Sequence, residues 1–385
     1  MAKPRRLAEA ERFDWLRLIR SDNVGPRTFT ALLARCGCAR KALEALPELA
    51  RLGGLKRSVR IADKADIERE LEAAAALGAR FIASCEPEYP PALLATDGPP
   101  PLISVLGRDE ALQQPALALV GSRNASAAGL AFADRLARGL GQAGYVVVSG
   151  LARGIDLRAH AAALETGTIG VLAGGLGKPY PPEAVAMIPR IAEYGATLSE
   201  MPIGWEPRGR DFPRRNRLVS GLCFGTIVIE ASRGSGSLIT ARLAAEQNRE
   251  VFAVPGSPLD PRAEGANDLL REGAHLCARV EDVLDVIEPL RARDPFETRF
   301  APATLFDASD REGLDEPDAP GFDLGEEAAV AAVRRLLGPS PVSVDELARV
   351  ADLDVRSVRM AIVVLDLAGR IEHSGGDRVA LLAEP

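Results

Sequence analysis

The chain has 385 residues, 47% of them hydrophobic, and carries 47 Lys plus Arg against 54 Asp plus Glu, a formal net charge of -7. That length exceeds what one core organises and points to two or three domains; the acidic balance excludes anion binding through bulk positive charge and leaves it to local placement of cations. Apolar runs fall short of the roughly 18 residues of a membrane span and the start lacks an apolar signal core, so a cytoplasmic protein without membrane contact is expected. Five cysteines, odd in number and scattered, suit reduced thiols, and three histidines without zinc spacing give no structural metal.

In chain order, "FDWLRLIRSDNVGPRTFTALLARCG" and "IERELEAAAALGARFI" repeat apolar residues every three or four positions, so residues 1–80 are expected to form a small helical, SAM-like domain. Its Gly25-Pro26 turn is faintly like helix-hairpin-helix DNA-binding hairpins, but the segment reads as a packing module.

Residues 81–290 alternate short β-branched runs with helical patterns. "ALALVG" (116–121) precedes a helix from near Ser126, "YVVVSG" (145–150) one from near Asp156, and "TIGVLAG" (168–174), "ATLSE" (196–200), "TIVIEA" (226–231) and "VFAVPG" (251–256) continue the series. This is the pattern of a doubly wound, mostly parallel α/β sheet. Four strands run into Gly or Ser at their C-terminal ends, the edge where such sheets bind ligands. A dinucleotide G-x-G-x-x-G is missing after the first strand and "GLGKP" is not a Walker loop, so no cofactor is signalled. Nor is there a catalytic constellation: His160, four residues after Asp156, reads as a satisfied polar residue near a helix start. Glu230 ends a strand, Gly234 to Ser237 form a turn, and Thr240 lies in the first turn of the following helix.

Within this region "GRDFPRRNRLVSGL" (209–222) places Arg210, Arg214, Arg215 and Arg217 within eight positions. Arginine is a planar, always-charged fork for phosphate oxygens, and Phe212 offers a face on which an unpaired base can stack. Read as an extended segment, it puts Arg215 and Arg217 on one side and Arg214 on the other, pairing with carboxylates.

Residues 291–325, with four prolines and nine acidic residues, read as a solvated linker. Residues 326–385 read as three helices and a hairpin, a winged helix with Val355, Val358, Ile362 and Leu365 as a core stripe and Gly375-Gly376 as the wing turn. Its candidate recognition helix exposes Arg356, Arg359, Met360, Val363 and Asp366, and with seven basic against ten acidic residues the segment suits packing or protein contact better than duplex DNA.

"VGSR" (120–123), "SGLARGID" with His160, "YPP" (180–182), "FPRRNRLVSGL" (212–222), "GSGSLITARLA" (234–244), "VFAVPG" (251–256) and "GANDLLREGA" (265–274), in this order, resemble the DNA-processing protein A (DprA/Smf) family. The resemblance implies an extended Rossmann-like domain flanked by an N-terminal helical and a C-terminal winged-helix domain. It implies a non-catalytic recombination mediator that binds and protects incoming single-stranded DNA, forms a homodimer through the Rossmann-like domain, and helps load the RecA recombinase in natural transformation. The candidate DNA-binding residues are Gly121, Ser122, Arg123, Ser149, Gly150, Arg153, Gly154, Lys178, Phe212, Arg214, Arg215, Asn216, Arg217, Ser235, Gly236, Ser237 and Thr240. Lys178 departs from the polar or acidic residue the family often has in that loop. Two alternatives remain at this point: a nucleotide-processing enzyme akin to phosphoribohydrolases, whose "PGGxGTxxE" signature is incomplete here, and a duplex-binding winged-helix regulator.

Overall fold

The computed structural model describes residues 4–55, 57–293, 296, 324–374 and 377–382. The chain divides into two compact units, one of residues 4–6 and 69–301 and one of 7–68 with the C-terminal segment. The linker expected over 291–325 and the Gly375-Gly376 wing turn fall largely outside the described residues.

The larger unit is built on a nine-stranded sheet of β1 (Arg80–Ala83), β2 (Leu102–Gly107), β3 (Ala116–Gly121), β4 (Val146–Ser149), β5 (Thr168–Val171), β6 (Ala196–Ser199), β7 (Gly225–Ile229), β8 (Glu250–Ala253) and β9 (His275–Leu276), in the order β1-β2-β6-β5-β4-β3-β7-β8-β9. Pairing is parallel from β6 through β9, whereas β1 and β2 join antiparallel beside β6. The six strands expected from sequence are present; β1, β2 and β9 are additions, β1 emerging where the helical period extends to residue 80.

Alternation along β3 explains why both faces are covered. Ala116, Ala118 and Val120 join one core with Ile103, Leu198 and Leu218, while Leu117 and Leu119 join another with Leu136, Leu140 and Phe252. A strand buried on both faces has to be apolar throughout. From β3 the chain winds outward through β4 and β5 to β6, then returns through helix Asp211–Gly221 to β7 on the other side of β3. The order therefore reverses between β3 and β7, the crevice where open α/β sheets receive ligands.

In the smaller unit, helices Glu9–Ile19, Pro26–Cys36 and Ala39–Leu52 pack with the C-terminal segment, where helices Leu324–Leu336, Val344–Ala351 and Val355–Leu367 stand on a sheet of order β10 (Val342–Ser343), β12 (Arg378–Leu381), β11 (Ile371–Ser374). That segment has the winged-helix form expected, yet the two terminal segments, read as separate domains, share one unit. Arg35 forms a bidentate pair with Glu326, Thr28 donates to Asp366, and Asn23 donates to the Leu367 carbonyl at 2.8 Å. The core stripe holds at Val358, Ile362 and Leu365 but not at Val355, which is exposed, and Val363, expected at the surface, is buried.

Gly53 marks how closely these segments approach. A Cβ there would overlap the Val364 carbonyl oxygen and stand 2.7 Å from the Ala368 methyl. Gly53→Ala should therefore lower stability by about 1–3 kcal/mol through overpacking. Urea unfolding of the full chain checks this, and unchanged stability would separate the two segments.

Candidate nucleic-acid interface

The arginine-rich stretch is a helix, Asp211–Gly221, not an extended segment. Asp211 starts it: its carboxylate accepts from the Arg208 N–H at 2.8 Å and the Trp205 indole at 2.9 Å. Pro213 sits in the first turn, where no intrahelical N–H is missed, and Leu218, Val219 and Leu222 bury one face in the core. Helical geometry changes which arginines share a side, because residues three apart are neighbours. Arg214 and Arg217 together hold the buried Glu200 carboxylate, Arg214 at 2.9 Å, and Arg217 also reaches the Gly98 carbonyl at 3.2 Å. Arg215 points the other way and is buried, donating to the carbonyls of Gly150 and Val171. Burial pulls its guanidinium down to about 10, against the opposing pull of Asp156, so it stays charged at neutral pH.

Other expected residues divide between surface and interior. Ser149 is buried and donates to the Leu119 carbonyl at 2.6 Å; Gly150, Ser237 and Thr240 are also buried. Gly154, at φ 79°, starts helix Ile155–Ala163 so close to the Ser122 carbonyl oxygen that a Cβ would overlap it. Gly154 is half-buried, and the others shape the edge without facing solvent. Arg153, exposed, pairs with Glu183 at 2.8 Å.

What reaches solvent at the reversal point is a cation and two aromatics. The exposed Arg123 guanidinium lies 5.5 Å from the Phe212 ring centroid, and the Phe212 ring meets that of Tyr180 edge-on at 5.8 Å. Tyr180 is 53% exposed, and Lys178 stands two residues before it. Among the described residues Arg123, Lys178 and Arg210 have no carboxylate partner. Tyr180 is the functional candidate that residue-by-residue reading missed, although it stands in the quoted "YPP" motif.

Three of the helices that begin at this edge differ at their positive ends. At helix Ala127–Gln142, Glu230, held at φ 53°, accepts from the Ser126 N–H at 2.8 Å and from its hydroxyl. The place where a dinucleotide fold would set a phosphate is thus taken by the chain's own carboxylate. Helix Ile155–Ala163 has Asp156 in its first turn. Helix Gly236–Glu246 has only hydroxyls, Ser235 accepting from the Ser237 N–H at 3.4 Å and sharing a hydrogen bond with the Ser237 hydroxyl at 2.7 Å. Gly236 is exposed with open space in front of it, and the exposed rim continues to Asn216, which donates to its carbonyl at 3.2 Å.

A family model described as DNA recombination-mediator protein A matches residues 80–288, more than half of the chain. The chain belongs to the DNA processing protein A family. Companion models for a DprA-like N-terminal HHH domain and a DprA winged-helix domain match residues 9–73 and 316–377. Protein Smf of Escherichia coli is 38% identical over 296 residues, covering 76% of this chain and 75% of its own. The DNA processing protein DprA of Bacillus subtilis is 42% identical over 198 residues, covering 51% and 64%. The solved structure of DNA processing protein A from Streptococcus pneumoniae superposes with a TM-score of 0.62 at 31% identity, covering 73% of this chain and 99% of that one. That of the Helicobacter pylori protein, described for its single-stranded DNA binding mode, gives 0.51 at 29%, covering 55% and 96%. No helix among the described residues is long and apolar enough to cross a membrane.

His160 is fully buried beneath this edge, its Nδ1 2.7 Å from the Thr168 hydroxyl. Burial, with Arg215 adding to it, pushes its pKa down to about 3. An unfolded histidine titrates near 6.5, so between the two values the unfolded chain binds the extra proton and stability rises with pH. This contribution is complete above the unfolded value and is lost on acidification at up to about 1.4 kcal/mol per pH unit. Denaturant unfolding from neutral pH into the acid range should show a steeper loss for the natural protein than for His160→Gln; equal slopes would clear His160 of the effect.

Proposed function

We propose that this edge binds single-stranded DNA and that the protein acts as a recombination mediator, delivering strands to the RecA recombinase during natural transformation. Arg123, Lys178 and Arg210 meet phosphates, Phe212 and Tyr180 take unpaired bases, and the hydroxyl-capped start of helix Gly236–Glu246 offers backbone N–H groups to the strand. The observation that carries the reading is Arg123 over Phe212, with Phe212 against Tyr180. A charge and two π-faces side by side suit a strand whose bases are free to stack, and paired bases cannot reach them. The family description as a recombination mediator and the single-stranded DNA binding mode described for the Helicobacter pylori relative support it. Homodimerisation through the sheet-bearing unit and a cytoplasmic setting belong to the same reading. Catalysis has no part in it: Asp156 and His160, the carboxylate and the imidazole of helix Ile155–Ala163, are both buried.

Fluorescence anisotropy with labelled oligonucleotides should give tighter binding of single strands than of duplex, with little sequence preference; equal affinity overturns the proposal. Arg123→Ala removes one charged contact of about 1.5–3 kcal/mol, so affinity should fall about 10- to 100-fold. The slope of log affinity against log salt should become shallower by about 0.7. Melting should be unchanged, because the side chain is exposed. Normal melting with unchanged affinity and slope removes Arg123 from the site.

A further inference from the structure

Both backbone groups of Gly150, the residue leaving β4, are held by buried side chains. Its N–H donates to Asp156 at 3.1 Å, a carboxylate that also accepts from the Ala152 N–H at 3.2 Å, and its carbonyl accepts from Arg215. The same guanidinium holds the carbonyl of Val171, the last residue of β5. A Cβ on Gly150 would lie 2.8 Å from the guanidinium carbon, so glycine there makes room for the arginine. Arg215 thus ties three segments that meet at the interface: its own helix, carrying Phe212 and Asn216, the loop after β4, carrying Arg153, and the loop after β5, carrying Lys178 and Tyr180.

We propose that Arg215 is a positioning residue of the single-strand interface, which touches no DNA and sets the spacing of these segments through the Gly150 and Val171 carbonyls. The inference rests on the single-strand reading above. Surface contacts act at full strength only when a buried layer fixes their geometry, and one guanidinium nitrogen, Nη1, donating to carbonyls of two segments fixes a helix in a way that a single hydrogen bond cannot.

The test separates positioning from contact and from mere stability. Removing one of two opposing buried charges leaves the other unbalanced, whereas removing both does not. The full chain is prepared as the natural protein, as Arg215→Met, and as Arg215→Met with Asp156→Asn, and each is melted and titrated with a labelled oligothymidylate across a salt series. Arg215→Met should melt lower and the double variant should recover. Affinity of the double variant should stay down by about tenfold, the size of one weakened charged contact, with the salt slope of the natural protein. Natural affinity in the recovered double variant overturns the proposal and makes Arg215 a stabilising residue only; a slope shallower by about 0.7 overturns it by making Arg215 a phosphate contact. Should the double variant not melt cooperatively, Arg215→Lys decides: it keeps a positive charge but replaces the planar guanidinium, whose Nη1 spans both carbonyls, with a tetrahedral ammonium, so affinity should fall at unchanged slope, and natural affinity overturns the proposal. Failure of the single-strand reading looks different, because the natural protein itself then shows no preference for single strands.

Discussion

A guanidinium taken out of water must find acceptors for its N–H groups or the fold pays heavily in desolvation. Arg215 is buried at the C-terminal edge of the sheet, and its surroundings are arranged around that requirement: two strand-end carbonyls turned toward it, a glycine in place of any larger residue beside it, and the Asp156 carboxylate to balance its charge. Burial also pushes the Asp156 carboxyl upward while Arg215 and the Gly150 and Ala152 N–H groups pull it back. Buried partners of this kind are costly to separate. They hold the helix and both loops in one arrangement.

Around that centre the protein spends most of its charges on itself. Arg214 and Arg217 are bound to Glu200, Arg153 to Glu183, Arg233 to Asp268 and Arg262 to Asp260. Pairs exposed on both sides, such as Arg153 with Glu183, contribute little to stability, but each pairing removes a cation from the field seen by an approaching polyanion. The same holds for helix ends, since Glu230 and Asp156 place negative charge at the starts of helices Ala127–Gln142 and Ile155–Ala163. Arg123, which has no carboxylate partner among the described residues, instead lies against the aromatic pair.

Much of this was legible because burial leaves a pattern. The six central strands are legible as short β-branched runs, four of them ending in Gly or Ser, and the helices of the C-terminal segment by apolar spacing. The edge strand β1 was lost because "ARFI" continues a helical period, and only pairing with β2 decides its form. Reading the arginine stretch as extended went wrong at Phe212-Pro213: a proline suggests a break, yet in the first turn it is tolerated, and the Leu218, Val219 and Leu222 spacing was the helical signal to follow. Which polar residues face inward was not readable. Ser149, Ser237 and Thr240 look like ligand-binding hydroxyls in a sequence and are buried here. Nothing in "RRNR" distinguishes Arg215, because its partners are backbone carbonyls 44 and 65 positions away.

The helix Val355–Leu367 follows the same logic at a second site. A recognition helix that reads duplex DNA needs one apolar face for its own domain and one polar face for the groove. This helix is buried at every position from Ala361 to Leu365 and again at Leu367, because it serves two cores. One side completes the winged helix through Val358, Ile362 and Leu365, and the other lies against the N-terminal helices, with Val364 over Gly53 and the Leu367 carbonyl taken by Asn23. Asp366, expected to face solvent, receives the Thr28 hydroxyl, and Arg359 in the exposed first turns is paired with Asp377 at 3.3 Å. The apolar run from Ala361 to Leu365 therefore has a packing reason: the helix is a packing element of the terminal unit.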